Sequence, residues 1–215
     1  MRYVRLELVR LSDLLPHELI EVRRLKKVRN SIKSLGKVLK PVVIDEATGV
    51  IIDGHHRVAA LKSLGLKYVP ALLIRYTKVI KEIGTFSYLI KGSNEEVLQL
   101  LIRKLIKECE GCGNAEVIIS NSLSSPYIIR SDLRIMSNTL MRLSRELSLS
   151  VIKLSPNDSC EKLIRGAYTV VKPLVITHKD VIKTAYLSNP YPPRTTYHVT
   201  KLKEVVKPFS LNQLR

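Results

Sequence analysis

The chain has 215 residues, 45% of them hydrophobic, which is enough to bury a real core and excludes disorder as a description of the whole. Its 36 lysines and arginines outnumber 19 acids, and the resulting net charge of +17 favours polyanionic partners, nucleotides and nucleic acid among them. No apolar run reaches the roughly 18 residues of a membrane span, and Met1-Arg2-Tyr3-Val4-Arg5 builds no signal-peptide core, so no membrane partner and a soluble, cytoplasmic protein are expected.

Residues 2–9 alternate from Val4 to Leu8 and predict an edge strand. Val22, Leu25, Val28, Ile32 and Leu35 recur at helical spacing, so a basic helix is expected from Leu19 to Leu35, with Gly36 at its C-terminal cap. Val42 to Asp45 predicts a strand, Glu46-Ala47-Thr48-Gly49 a turn, and Val50 to Ile52 a second strand. A helix follows the Asp53–Arg57 turn and stops at Gly65. Val69 to Ile74 reads as another strand, with Pro70 placing it near an edge or a strand start.

Beyond about residue 75 the texture changes. Ile83 to Ile90 reads as a strand, and Ser93-Asn94-Glu95-Glu96 as a capping box opening a helix to about Lys107. Strands are expected at 115–119 and 126–130, and a helix from Asp132 to Leu147 whose stripe of Leu133, Met136, Leu140, Leu143 and Leu147 faces a core. Val151 to Leu154 reads as a strand, 156–165 as a short helix and Tyr168 to Ile176 as a strand. Thr177-His178-Lys179-Asp180 is a second capping box, opening a helix to about Leu187, with His178 an ordinary polar residue of its first turn. Cys109 and Cys112 form a C-x-x-C, but zinc needs a second ligand pair and Cys160 lies far along the sequence. A surface turn with two thiols, which a disulfide could join, is expected.

Two stretches carry chemistry. In Asp53-Gly54-His55-His56-Arg57 an acid, a glycine, two histidines and an arginine fall where a strand gives way to a helix. Unpaired N–H groups and the helix dipole favour an anion there, glycine lets backbone approach it, and arginine is a forked phosphate binder. Asp53 could hold Mg²⁺ or orient a hydroxyl. The pattern fits a phosphorylated ligand; a solvated polar turn is the plainer alternative. The second stretch is Asn189-Pro190-Tyr191-Pro192-Pro193-Arg194-Thr195-Thr196-Tyr197-His198-Val199, extended by its prolines and richer in polar side chains than a linker needs.

Asp53-Gly54-His55-His56-Arg57 followed by Val58-Ala59-Ala60-Leu61 resembles the phosphate-binding turn of the ParB/sulfiredoxin-like superfamily. Pro16-His17-Glu18 upstream, Lys40-Pro41 before the strand and the Tyr191–Val199 tail together resemble the archaeal free L-serine kinases of that superfamily. The resemblance implies an α/β fold with a ParB/sulfiredoxin-like N-terminal lobe at 1–75, a second α/β lobe at 76–188, and a segment at 189–215 returning to an active site in the cleft between them. It implies transfer of a phosphoryl group from ADP or ATP to free L-serine, giving O-phosphoserine for cysteine biosynthesis. Carried over to this sequence, Glu18 is the candidate general base, and Asp53 aligns the hydroxyl or Mg²⁺. Gly54, His55, His56 and Arg57 cradle the nucleotide phosphates, with Lys40 a further neutralising charge. Arg194, Thr195, Thr196 and His198 take the serine.

Histidine at position 55, where sulfiredoxins carry cysteine, excludes sulfinic-acid repair. The P-loop and protein-kinase signatures are absent from the sequence. A chromosome-partitioning ParB would need a recognition helix, and the strand expected at 151–154 interrupts the only region that could supply one. Arg194 and Tyr197 replace a lysine and an arginine of the kinase pattern, a loss of charge that would alter phosphate or substrate contacts at Tyr197. The competing expectation, carried by the +17 charge, is a ParB-like nucleic-acid-binding module without kinase activity.

Overall fold

Alternation at the N-terminus becomes strand β1 (Val4–Arg10) in this computed structural model, which describes residues 3–92, 95–121, 126–155, 168–173 and 176–215. There follow α1 (Val22–Leu35), β2 (Lys37–Val38), β3 (Val42–Asp45), β4 (Ile51–Asp53), α2 (His55–Ser63), β5 (Tyr68–Ile74) and the single turn α3 (Tyr76–Val79). The four longer strands form one sheet in the order β1-β5-β3-β4, so β1 is the expected edge. β1 pairs antiparallel with β5, β5 parallel with β3, and β3 antiparallel with β4. All four residues of β3 are buried, which is why its sequence is a continuous apolar run ended by Asp45. Pro70 lies opposite Leu8 of β1, one residue before β5 begins to pair with β3 at Ala71, so no bond of that ladder needs its missing N–H.

The periodicity predicts a helix from Leu19, but α1 begins at Val22. The residues before it are extended, because Tyr191 donates its N–H to the carbonyl of His17 and accepts the N–H of Leu19, both at 2.8 Å. Periodicity sees the apolar spacing and not a distant segment that takes the backbone bonds. Gly36, at φ 62°, ends α1 in the left-handed conformation that suits glycine.

The second stretch of chain comprises β6 (Ile83–Thr85), β7 (Ser87–Lys91), α4 (Glu95–Cys109), β8 (Ala115–Asn121), β9 (Tyr127–Ser131), α5 (Leu133–Glu146), β10 (Ser150–Leu154) and β11 (Tyr168–Pro173). Five strands make an antiparallel sheet in the order β10-β7-β11-β8-β9. The strand expected from Ile83 to Ile90 is broken at Phe86, whose N–H turns to the carbonyl of Thr195 at 3.1 Å. α4 buries Leu98, Leu101, Ile102 and Leu105; α5 buries Leu133, Met136, Leu140 and Leu143, while Leu147 at its cap is half-buried. Asp132 caps α5 by accepting the N–H groups of Arg134 and Ile135. Cys109 is the buried last residue of α4, Cys112 is exposed, and both are free thiols, so no disulfide joins them. Ser93, the helix expected at 156–165 and Cys160 lie outside the described residues.

The chain then runs through α6 (His178–Tyr186), β12 (Thr196–His198) and β13 (Phe209–Ser210). Contacts divide it into two units: Met1–Ile83 with Thr177–Pro193 and His198–Arg215, and Gly84–Ile176 with Arg194–Tyr197. In the first unit β13 pairs with β2, and Leu214 joins a core of Val42, Ile44, Ile51, Leu61 and Ala71 among others. Leu61, on α2, is fully buried there. Leu61→Ala should destabilise the first unit by about 2–5 kcal/mol, measured by denaturant unfolding; a change below about 1 kcal/mol would mean that α2 does not anchor this core.

Candidate active site

β4 enters α2 through Gly54, at φ 106°. A Cβ at this position would lie 2.6 Å from Cγ1 of Val42, so only glycine lets the turn close against β3. The N–H groups of His55, His56 and Arg57 open the helix and have no intrahelical acceptor; Val58 donates the first such bond, to the carbonyl of Gly54 at 3.0 Å. The turn therefore presents unpaired N–H groups and the positive end of the helix dipole, as its sequence predicts.

The side chains of the turn are also held by protein. Arg57 donates from Nη1 to the carbonyls of Lys40 and Pro41, at 2.8 and 2.5 Å, and from Nη2 to the Asp53 carboxylate. Its guanidinium thus braces the approach to β3 and neutralises Asp53, leaving its other N–H groups for a ligand. His55 Nε2 accepts the N–H of His17 at 3.4 Å, and His56 Nε2 accepts that of Glu21 at 3.1 Å. An accepting ring nitrogen carries no proton, so both imidazoles are neutral with the proton on Nδ1. Burial pushes both pKa values down; His17, His198, His56 and Arg57 push His55 further, and Arg24 adds to the effect at His56. A phosphate would meet the backbone N–H groups of these positions, not imidazolium charge.

Those two bonds fasten the segment that carries Glu18. Glu18 is half-buried, bracketed by the bond that Tyr191 donates to His17 and the bond that it accepts from Leu19. Its charge is felt at His17 and His56, and together with that of Asp53 at Lys203. Lys203 is a half-buried lysine in the helical turn Lys201–Glu204. Burial lowers its pKa and the two carboxylates pull it back up. Sequence reasoning passed over this residue, since one more lysine in so basic a chain carries no signal. Lys40 Nζ lies 3.5 Å from the Lys203 carbonyl.

All five histidines of the chain lie in the first unit. His17 stands edge-on to His55, with ring centroids 4.6 Å apart, and edge-on to His198 at 5.5 Å. His198 Nδ1 is 2.9 Å from the Tyr76 hydroxyl. His178 corrects its sequence expectation: its ring stacks on Tyr76 at 3.6 Å, and its Nε2 lies 3.6 Å from Oδ2 of buried Asp45. Nothing local in Thr177-His178-Lys179-Asp180 signals these partners, and the capping box that does predict α6 is present. Arg194, Thr195 and Thr196 group with the second unit, where the Arg194 guanidinium lies 4.7 Å over the Phe86 ring.

Among the described residues no three His, Cys, Asp or Glu side chains are grouped to hold a metal. Magnesium bound with a nucleotide needs only one or two carboxylates, with phosphates supplying further ligands. Asp53 meets that smaller requirement.

Burial lowers the pKa of every histidine below its ordinary 6.5. Below pH 6.5 the unfolded chain therefore takes up protons that the folded chain refuses. The stability linked to these groups is present in full above that value and is lost as pH falls from it toward the folded pKa values. For His55 alone the loss is about 1.4 kcal/mol for each unit between the two. Thermal midpoints at pH 8 and pH 5 check this, and a midpoint at pH 5 equal to or above that at pH 8 contradicts it.

No protein-family model matches the sequence. The chain is 29% identical to the ATP-dependent L-serine kinase of Staphylothermus marinus, over 100% of its own length and 93% of that protein's. It is 26% identical to the ADP-dependent L-serine kinase of Thermococcus kodakarensis, over 89% of its length and 85% of the relative's. A free serine kinase variant in complex with AMP matches it in structure with a TM-score of 0.79 at 22% identity, covering 99% of this chain and 95% of that one. No helix among the described residues is long and apolar enough to cross a membrane. The chain has the fold of the free serine kinases and is similar, along its whole length, to L-serine kinases.

Proposed function

We propose that the chain is a cytoplasmic free L-serine kinase that moves the terminal phosphoryl group of ATP or ADP to the serine hydroxyl. The observation that carries this reading is local. Glu18 and Asp53 act on the same lysine, Lys203, and the Glu18 segment is tied by His55 and His56 to the N-terminus of α2, in a chain alike over its full length to L-serine kinases.

Phosphoryl transfer asks a protein for positioning and charge neutralisation more than for covalent chemistry. The N–H groups opening α2 at His55, His56 and Arg57, with Gly54 allowing close approach, bind the phosphates of the donor. Arg57, Lys40 and Lys203 add positive charge around them. Glu18 takes the proton from the serine hydroxyl as its oxygen bonds to phosphorus. The bond from phosphorus to the donor's bridging oxygen breaks, and the nucleotide leaves one phosphate shorter. Asp53 orients the hydroxyl and is the residue that would hold Mg²⁺; when bound, the ion supplies further neutralisation on the phosphates. Thr196 and His198, two positions apart on β12, with Arg194 and Thr195 before them, supply polar partners for the serine carboxylate and ammonium. The product, O-phosphoserine, would serve cysteine biosynthesis.

Relatives that differ between ATP and ADP support either donor. An assay for O-phosphoserine with free L-serine, Mg²⁺ and each nucleotide tests the reading. Wild type should form product with at least one nucleotide, and Glu18→Gln should lose about 10²–10⁴-fold in kcat, the usual contribution of a positioned base. No product with either nucleotide would return the chain to the nucleic-acid-binding reading that its charge of +17 supports.

A further inference from the structure

Tyr76 directly follows β5 after a single residue and lies between two imidazoles of the first unit. One face of its ring stacks on His178, with the planes 1° apart. Its hydroxyl lies 2.9 Å from His198 Nδ1 and has no other hydrogen-bond partner among the described residues. Both side chains are buried, Tyr76 at 6% and His198 at 2% exposure. The far side of the stack is also fixed. His178 Nε2 is 3.6 Å from Asp45 Oδ2, and that oxygen accepts a bond from the Thr48 hydroxyl at 2.7 Å.

This arrangement decides where the protons sit. Burial and the Asp45 carboxylate raise the Tyr76 pKa, so the phenol keeps its proton. Burial, with His17, Lys203 and His178 adding to it, lowers the His198 pKa, so that imidazole is neutral. If Nδ1–H donated to the phenol oxygen, both the buried phenol O–H and the unprotonated Nε2 would be left without partners, two unmet groups where the reverse bond leaves one. The phenol therefore donates to Nδ1, and the single proton of His198 is on Nε2. Nε2 is itself buried and without a hydrogen-bond partner among the described residues. A buried donor of this kind is costly until an acceptor arrives.

We propose that Tyr76 is a positioning residue: by donating to His198 Nδ1 it fixes His198 as an Nε2–H donor for an anionic oxygen of the substrate, the serine carboxylate. The assignment of the acceptor rests on the kinase reading; the assignment of the tautomer does not. The stack on His178, itself beside Asp45, keeps the phenol in the plane that this bond needs.

Two measurements test the proposal. Nitrogen–proton correlation spectra of the histidine side chains, without substrate and with His198 assigned by its loss in His198→Asn, read the tautomer. Wild type should show His198 protonated at Nε2, and Tyr76→Phe, which keeps the stack, a mixture of tautomers. Kinetics should show Tyr76→Phe raising the KM for L-serine about ten-fold, the effect of one hydrogen bond no longer held in place, with the nucleotide KM and thermal midpoint near wild type. An Nδ1–H tautomer in wild type overturns the proposal, as does a variant with an unchanged tautomer or an unchanged serine KM, whether or not phosphoserine forms. If wild type shows the Nε2–H tautomer but makes no phosphoserine, the kinase reading fails, and the assignment of the serine carboxylate fails with it.

Discussion

Two neutral imidazoles at the start of α2 hold the site together. His55 and His56 each spend a ring nitrogen on a backbone N–H of the preceding segment, at His17 and Glu21. Glu18 lies between those anchors, and Tyr191 holds the same segment from its other side. Lysine or arginine could not replace either imidazole, since neither has a nitrogen that accepts. A charged imidazole would also fail, and the burial that keeps both rings neutral is part of the same construction. The turn therefore separates two tasks: its backbone N–H groups stand open at the helix start while its side chains fix the segment that carries Glu18.

The same economy governs the charges. Arg57 is a natural phosphate fork, yet three contacts tie its guanidinium to Asp53, Lys40 and Pro41. This costs some positive charge at the helix start and gains a fixed geometry for Asp53 and for the strand entry at Pro41. Lys203 supplies charge from elsewhere in the chain, held between burial, which opposes its protonation, and two carboxylates, which favour it. Much of the remaining positive charge is spread over solvent. Arg23, Arg24, Lys26, Lys27, Arg29 and Lys33 are exposed on α1, which carries no acid at all. Such a face raises the local concentration of anions without specifying one.

The legible parts of the sequence were those whose causes are local. The strand–turn–helix at Asp53–Arg57 follows from an apolar run, a glycine that must take positive φ and the helix formers Ala59, Ala60 and Leu61 a turn later. The α5 stripe and the Thr177–Asp180 capping box likewise depend only on near neighbours. Glu18 and His198 are candidates for another reason, resemblance to a family, and that route transfers positions without contacts. His178, Tyr76, Asp45 and Lys203 could not be read in either way. Each is unremarkable among its sequence neighbours, and each acquires its meaning from a partner brought by a distant segment. The start of α1 and the break at Phe86 were misplaced for the same reason, because Tyr191 and Thr195 take the backbone bonds that periodicity assigns to regular structure.

Those distant partners share one origin. Tyr191, His178, His198 and Lys203 all belong to the stretch after residue 176, and all lie in the first unit. That stretch is not a strap laid over a finished domain. Phe209 pairs with Val38 of β2, and Leu214 is fully buried in the core under α2. The strand–turn–helix at residues 42–63 supplies the open N–H groups at the start of α2 from its own local geometry. By itself it lacks Tyr191, which holds the Glu18 segment, the lysine whose pKa both acids raise, and the histidine that Tyr76 orients. The residues that would make the chemistry more specific than anion binding come with the chain end, so the core contacts of the C-terminal residues and the geometry of the candidate site rest on the same segment.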